Sequence, residues 1–435
     1  MAVYERCGKG INDHVDMITS ASPLPVMNSP FGVAPPLRVT RVAVIGVTGY
    51  SQTHLRMLSE IAEAQAVEVV SVVAMSDTPE VVLAGFRAAG VRIYSSFEAW
   101  LLAEKGRFDV CCIPTPIHLH APMTLAVIKA QGSVLVEKPL AASLAEITSL
   151  TLAKPALGRF VAVGFQDLYT KATHSLKKAL LDGRYGRLRR ISVIGLWPRP
   201  STYYNRNHWA GKLKVGDASV LDSPLNNALS HFVMLALFLA GSSQDEAAVV
   251  EGGAAEVYRA RPIESFDTVA MRLQLRGGAV MMINLTHACS TEQDPVIAIE
   301  CERANIRWTA WKQLEVEEQG CTPRQETLPD TWETRREMFA AVCRQSRGEE
   351  SWVCPPSLAA RHAQLVLALH LNVPICVVRN DAIRPVSSPD GEVLAIDGIE
   401  AVWQDCAQSG LLPSELGVHW ARLATRFSPI FDAQG

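Results

Sequence analysis

No apolar run in this chain approaches the roughly 18 residues that a membrane-spanning helix requires. The first residues, MAVYERCGKGINDHVD, lack the basic-then-apolar layout of a secretory signal. An excess of charge is missing too: 41 Lys and Arg against 44 Asp and Glu leave a net −3. That balance gives no electrostatic case for nucleic acid or an acidic membrane surface as partner. The ten cysteines contain no C-x-x-C pair, and Cys111 and Cys112 sit together inside an expected strand. Structural zinc and a disulfide framework are disfavoured, and a reducing cytoplasm is the expected compartment. What remains is an ordinary globular composition, 48% hydrophobic and 20% charged over 435 residues. Such a length predicts two domains, because single cores seldom grow past about 250–300 residues.

The organising stretch is residues 134–140, VLVEKPL. A short buried strand ends abruptly in Glu137, Lys138 and Pro139. In an open parallel sheet, ligands bind beyond the carboxyl ends of the strands, so a charged pair there is placed for chemistry. Two solvated charges at a strand end are the plainer alternative. Upstream, residues 108–113 (FDVCCI) form another buried run, followed by Pro114, Thr115, Pro116, Ile117, His118, Leu119 and His120. A helical segment over residues 121–131 then leads into VLVEKPL.

This strand, P-T-P-x-H-x-H loop, helix and E-K-P unit resembles the glucose–fructose oxidoreductase / inositol dehydrogenase / MocA-like (Gfo/Idh/MocA) oxidoreductases. The resemblance runs over roughly residues 41–374. It implies a Rossmann domain followed by an α+β domain whose open sheet mediates a homo-oligomer, a dimer or tetramer. It also implies hydride transfer between NAD or NADP and a sugar, cyclitol or related hydroxylated small molecule.

Residues 41–45 (RVAVI) run into Gly46, Val47, Thr48, Gly49, Tyr50 and Ser51 and then a helix over residues 54–64. Strand, glycine turn and helix is the context in which backbone N–H groups cradle a pyrophosphate. Thr48 and Ser51 replace the second and third glycines of G-x-G-x-x-G, and a Cβ at Thr48 crowds the phosphate approach. The second strand, residues 67–75, ends at Ser76, Asp77 and Thr78. Asp77 suits a ribose hydroxyl, and no Arg or Lys follows it at once to hold a 2′-phosphate, which favours NAD. Capping a turn is its alternative role. Pro114, Thr115, His118, Glu137 and Lys138 complete the expected cofactor contacts. His118 and His120, with no carboxylate beside them, make a poor metal site, and no metal is expected.

Six strands alternating with helices through residues 160–164 predict a doubly wound parallel sheet over residues 39–165. Residues 166–380 read as an α+β domain with a large, mostly antiparallel open sheet, one face of it available for subunit contact. Residues 1–38 form an N-terminal extension, expected to be partly disordered, and residues 381–435 a C-terminal extension without a readable motif.

The resemblance places a lysine on Lys138, to touch the substrate hydroxyl and favour the developing alkoxide. Its second motif, D-x-G-x-H, falls on Asn227, Leu229 and His231 when Gly241 is the anchor. His231 is the expected base. Asn227 stands where a carboxylate is expected, and it can orient a group but cannot stabilise an imidazolium by charge; Asp222 lies one or two turns earlier. For substrate, the polar-aromatic loop over residues 197–212 offers Trp197, Tyr203, Tyr204 and Trp209 with Arg199, Arg206 and His208. Gln166 and His287 are further candidates. Two other functions fit the same residues: a bound, recycled nicotinamide giving net epimerisation or elimination, and a non-catalytic nucleotide- or sugar-binding partner protein.

Overall fold

The computed structural model describes residues 38–429. The N-terminal extension expected over residues 1–38 lies, apart from Arg38, outside the described residues.

The first part is a βαβ succession: β1 Thr40–Ile45, α1 Ser51–Ile61, β2 Val67–Val73, α2 Glu80–Ala88, β3 Arg92–Tyr94, α3 Phe97–Ala103, β4 Val110–Ile113, α4 Ile117–Lys129, β5 Ser133–Val136, α5 Leu144–Leu152 and β6 Val161–Val163. The strands pair in the order β3-β2-β1-β4-β5-β6, all parallel. Continuous apolar runs such as VCCI and SVLV fill strands buried on both faces. The order reverses between β1 and β4, which opens a crevice at their carboxyl ends. One boundary differs from expectation. α4 starts at Ile117, directly after Pro116, so His118 and His120 stand on its first turn and not in a loop.

The chain continues through α6 Lys171–Leu181, β7 Leu188–Leu196, α7 Ser201–Asn205, the small pair β8 Lys214–Val215 and β9 Ala218–Ser219, and α8 Ser230–Leu239. Then come β10 Val250–Arg259, β11 Thr268–Leu275, β12 Val280–Thr286, β13 Gln293–Cys301, β14 Ala304–Thr309, β15 Gln313–Glu318 and β16 Arg324–Thr327. Two helices follow, α9 Thr331–Ser346 and α10 Pro356–Asn372, then β17 Ile375–Val377, the hairpin β18 Ile383–Ser388 and β19 Gly391–Ile396, α11 Ile399–Ser409 and β20 Thr425–Phe427. The large sheet has ten strands in the order β16-β15-β14-β13-β7-β12-β11-β10-β17, with β20 also on β10. It is mostly antiparallel; β7–β12 and β10–β17 are its parallel pairs. α8, apolar on every side and almost wholly buried, fills one face. α9 returns to the first sheet: Phe339 meets His54 edge-on at 4.9 Å, and Trp332 Nε1 donates to Glu60 at 2.5 Å.

The second face of the large sheet is not as open as expected. Alternate residues of one strand divide between two cores, Ile191 and Val193 in the main one, Ile194 and Leu196 in a second. That second core is closed by the C-terminal residues, with Ile396, Ile399, Trp403, Cys406, Leu412 and Trp420 packed on Tyr258, Ala270 and Met282. The remaining half of the face carries Asn305, Arg307 and Glu317, all exposed. The segment without a motif is therefore a cover. Among the described residues no helix is long and apolar enough to cross a membrane.

Candidate active site

A cavity of about 580 Å³ lies between the first sheet's carboxyl edge and the second domain. Gly49, Tyr50, Pro114, Thr115, Glu137 and Lys138 line it from one side, and Gln166, Trp197, Trp209, Asn227 and His231 from the other. Two domains thus deliver most of the expected residues to one place.

At the nucleotide end, Gly46 has φ +113°, a conformation side chains rarely adopt, and a Cβ there would meet Ser51 Oγ at 2.4 Å. Gly49 also has positive φ, with open space above it. α1 opens without a side-chain cap and without an acid in its first turn, so its positive end faces the turn unopposed, although the Gln52 and Thr53 N–H groups already donate to Gly49 O and Tyr50 O. Thr115 Oγ1, on the cavity lining, and His118 Nδ1, off it, are buried with no partner among the described residues, so Thr115 offers an unpaired hydroxyl to a ligand. This donor set fits a dinucleotide. Gly46→Ala is expected to weaken NADH affinity at least about tenfold in a fluorescence titration, because the turn under the phosphates must shift.

Around Lys138 the geometry is more fully determined. Glu137 is buried and accepts from His54 Nε2 at 2.9 Å and from the Lys138 backbone N–H at 3.2 Å. Burial pushes the Glu137 carboxyl up, but the His54 contact and the charges of His54 and Lys138 outweigh it and hold the group below its ordinary range. It remains a carboxylate, with Gly164 opposite leaving room for its oxygens. His120 bridges Thr115 O at 2.8 Å and Pro139 O at 2.7 Å, which ties the start of α4 to the E-K-P turn. Lys138 Nζ donates to Asn227 O at 2.9 Å and to Asn227 Oδ1 at 3.3 Å. Burial pushes this ammonium down, with Arg335 and Arg206 adding to the effect and Glu137 and Asp222 opposing it.

Asn227 precedes α8, which begins at Ser230. Its amide nitrogen donates to Asp222 Oδ1 at 2.8 Å, and Asp222 Oδ2 accepts from the Gly211 N–H at 2.7 Å. A buried carboxylate thus stands behind Asn227 and sets which end of its amide faces Lys138. His231, the second residue of α8, presents its ring to the cavity. Burial holds its imidazolium well below the usual range, with Lys138, Arg335 and His362 adding to the shift.

The aromatic wall is Trp197 stacked on Trp311 (5.9 Å between centroids, 22° apart), with Tyr203 and Trp209 beyond. Arg206 lies 3.6 Å over the Tyr203 ring. Several expected contacts stand elsewhere. Tyr204 points to a separate surface hollow with Lys212, Arg259 and Arg261, and its neighbour Tyr203 lines the cavity. Arg199 stacks on Trp197 and Tyr203 from outside the lining, and His208 is exposed. Gln166 reaches the cavity, but its amide is committed to Thr331 and Thr334 of α9. His287 is buried under Trp197 O at 2.8 Å, and burial with Arg199 nearby pushes it down to about 3. Gly46, Thr48, Ser51, Asp77 and His118 are absent from the lining; Asp77 is exposed on the turn after β2. Trp311, Thr331 and Arg335 line the site without having been expected.

Comparison with known proteins agrees with this architecture. Residues 40–165 match the oxidoreductase family described by its NAD-binding Rossmann fold, and residues 173–307 match the GFO/IDH/MocA C-terminal domain. A 1-carboxy-3-chloro-3,4-dihydroxycyclohexa-1,5-diene dehydrogenase from Comamonas testosteroni is 29% identical over 149 residues, 34% of this chain and 36% of the relative. An inositol 2-dehydrogenase from Rubrobacter xylanophilus is 34% identical over 105 residues, 23% of this chain and 30% of its own. The chain thus spans about a third of the length of these curated relatives. The WlbA dehydrogenase from Bordetella pertussis, solved with NADH and UDP-GlcNAcA, superposes with a TM-score of 0.63 at 25% identity, covering 77% of this chain and 96% of that one.

Proposed function

The chain belongs to the GFO/IDH/MocA oxidoreductase family, and on that premise we propose that it moves hydride between a nicotinamide cofactor and a carbinol carbon of a sugar, cyclitol or similar hydroxylated small molecule. The observation that carries this reading is the meeting of Lys138 from the first sheet with Asn227 and His231 of the second domain around one cavity. Bound NAD would supply the hydride acceptor in the oxidising direction. Lys138 donates to the substrate oxygen and stabilises the charge it gains, and its lowered pKa makes that proton easier to share. His231 takes the hydroxyl proton. Its imidazole is neutral near pH 7, as a base must be. Asn227, oriented by Asp222, positions the Lys138 amine. The tryptophan wall offers flat apolar surface to ring C–H groups, and Arg206 and Arg335 give the cavity cationic forks for an anionic substituent. Buried thiols at Cys111 and Cys112, and free cysteines throughout the described residues, suit a reducing, cytoplasmic compartment.

The test is the reduced-nicotinamide absorbance of the purified protein with NAD and a panel of inositols, anhydro-sugars and UDP-linked uronic acids. Growth of that band with at least one of them is expected; silence across the panel, with NADH bound, sinks the redox reading. His231→Ala should lower kcat about 100-fold with NADH binding retained.

A further inference from the structure

Two buried polar atoms, one on the cavity wall and one just behind it, have no hydrogen-bond partner among the described residues, and they lie next to each other. They are Asp167 Oδ2 and His231 Nδ1, 3.5 Å apart. Asp167 sits in the 3-10 turn Gln166–Tyr169 just after β6, only 4% exposed. The Thr173 hydroxyl fixes that turn by donating to the Asp167 carbonyl at 2.7 Å. Trp311 Nε1 donates to Asp167 Oδ1 at 3.1 Å, so one carboxylate oxygen is anchored and the other is left for the imidazole. Asn227 cannot serve His231 in this way, since its amide is engaged by Asp222 and Lys138.

We propose that Asp167 is the positioning residue of the base, holding His231 as the Nδ1–H tautomer so that Nε2 carries the lone pair that accepts the substrate proton. This rests on His231 being the base. It restores, from another strand end, the charge that Asn227 cannot provide. In the step itself the hydroxyl proton passes to Nε2, the imidazolium then holds both N–H bonds, and the Asp167 carboxylate stays ionised beside it. Burial raises the Asp167 carboxyl to about 6, with Trp311 and Arg335 pulling it back, so it is a carboxylate at neutral pH. The other groups facing His231 are Lys138 after β5, Arg335 on α9 and His362 on α10, all of which disfavour its positive form. Phe165 closes the remaining side with its ring edge, 6.0 Å between centroids. On this proposal the carboxylate 3.5 Å away is the opposing charge, and its removal should lower the histidine pKa.

The experiment is 15N NMR on the full chain with labelled histidine, His231 being assigned from the signal lost in His231→Ala. The expected result is a protonated Nδ1 and an unprotonated Nε2 in the wild type. In Asp167→Asn the tautomer mixes and the His231 pKa falls by about one unit. A protonated Nε2 in the wild type overturns the proposal, as does an unchanged tautomer and pKa in Asp167→Asn. Where Asp167→Asn fails to fold, the wild-type tautomer alone decides. With any substrate that turns over, Asp167→Asn should lower kcat about 100-fold and move the acid limb of its pH profile downward, with KM little changed. Undiminished turnover in His231→Ala instead refutes the base assignment, an outcome distinct from a silent Asp167.

Discussion

Lys138→Met is expected to lower kcat/KM by about 10³-fold while NADH binding stays within a few fold of wild type. The methionine keeps the length and apolar stem of the side chain but removes the charge beside the reacting oxygen and the donor to Asn227. Nearly all of the loss should fall on kcat, because the interaction strengthens only as negative charge grows on the substrate. Lys138→Arg should not rescue it. A guanidinium has a planar fork and does not lose its proton, whereas this seat holds a single nitrogen and burial has lowered its pKa. The pH dependence has a definite sign. The folded pKa is below the ordinary lysine value, so the charged form is lost earlier than usual as pH rises, and the alkaline limb of kcat should move to higher pH when Arg335→Gln removes a neighbouring cation. Steady-state kinetics with NADH fluorescence separate these effects.

Trp403→Ala should destabilise the protein by about 3–5 kcal/mol in urea unfolding, the usual range for emptying a tryptophan site in a packed core. Trp403 is fully buried, 6.5 Å from Trp420 and packed among Ile396, Ile399 and Cys406. Trp403→Phe should cost far less, because among the described residues the indole Nε1 has no partner to lose. Both variants, kept below their melting temperatures, should retain the kinetic constants of the parent. The second core lies across the sheet from α8 and His231, so its loss threatens folding and not chemistry.

The first sheet was legible because parallel strands buried on both faces must be apolar throughout, and five-residue runs such as RVAVI have few other uses. The E-K-P turn and the histidine of α8 carried family spacing and so led directly to Lys138 and His231. The outer strands of the large sheet were harder. Residues 304–309 and 313–318 bury every second residue, but the exposed partners are Asn305, Arg307 and Glu317, and in so short a window the alternation is faint. α9 was missed because its sequence, TWETRREMFAAVCRQS, is polar overall; it nonetheless packs on α1 and brings Arg335 to the cavity. Asp167 gave no local signal at all. An acid one residue past a glutamine at a strand end becomes meaningful only when α8 and Trp311 are folded around it.

The bond between Lys138 and the Asn227 carbonyl changes what ligand arrival has to accomplish. The two halves of the molecule are joined at the reacting amine, so an alcohol bound there would compete with the Asn227 carbonyl for the same donor. Recognition is then an exchange of partners and not a clamping shut, with most of its ordering cost met during folding. X-ray scattering should accordingly record almost the same radius of gyration before and after NADH is added.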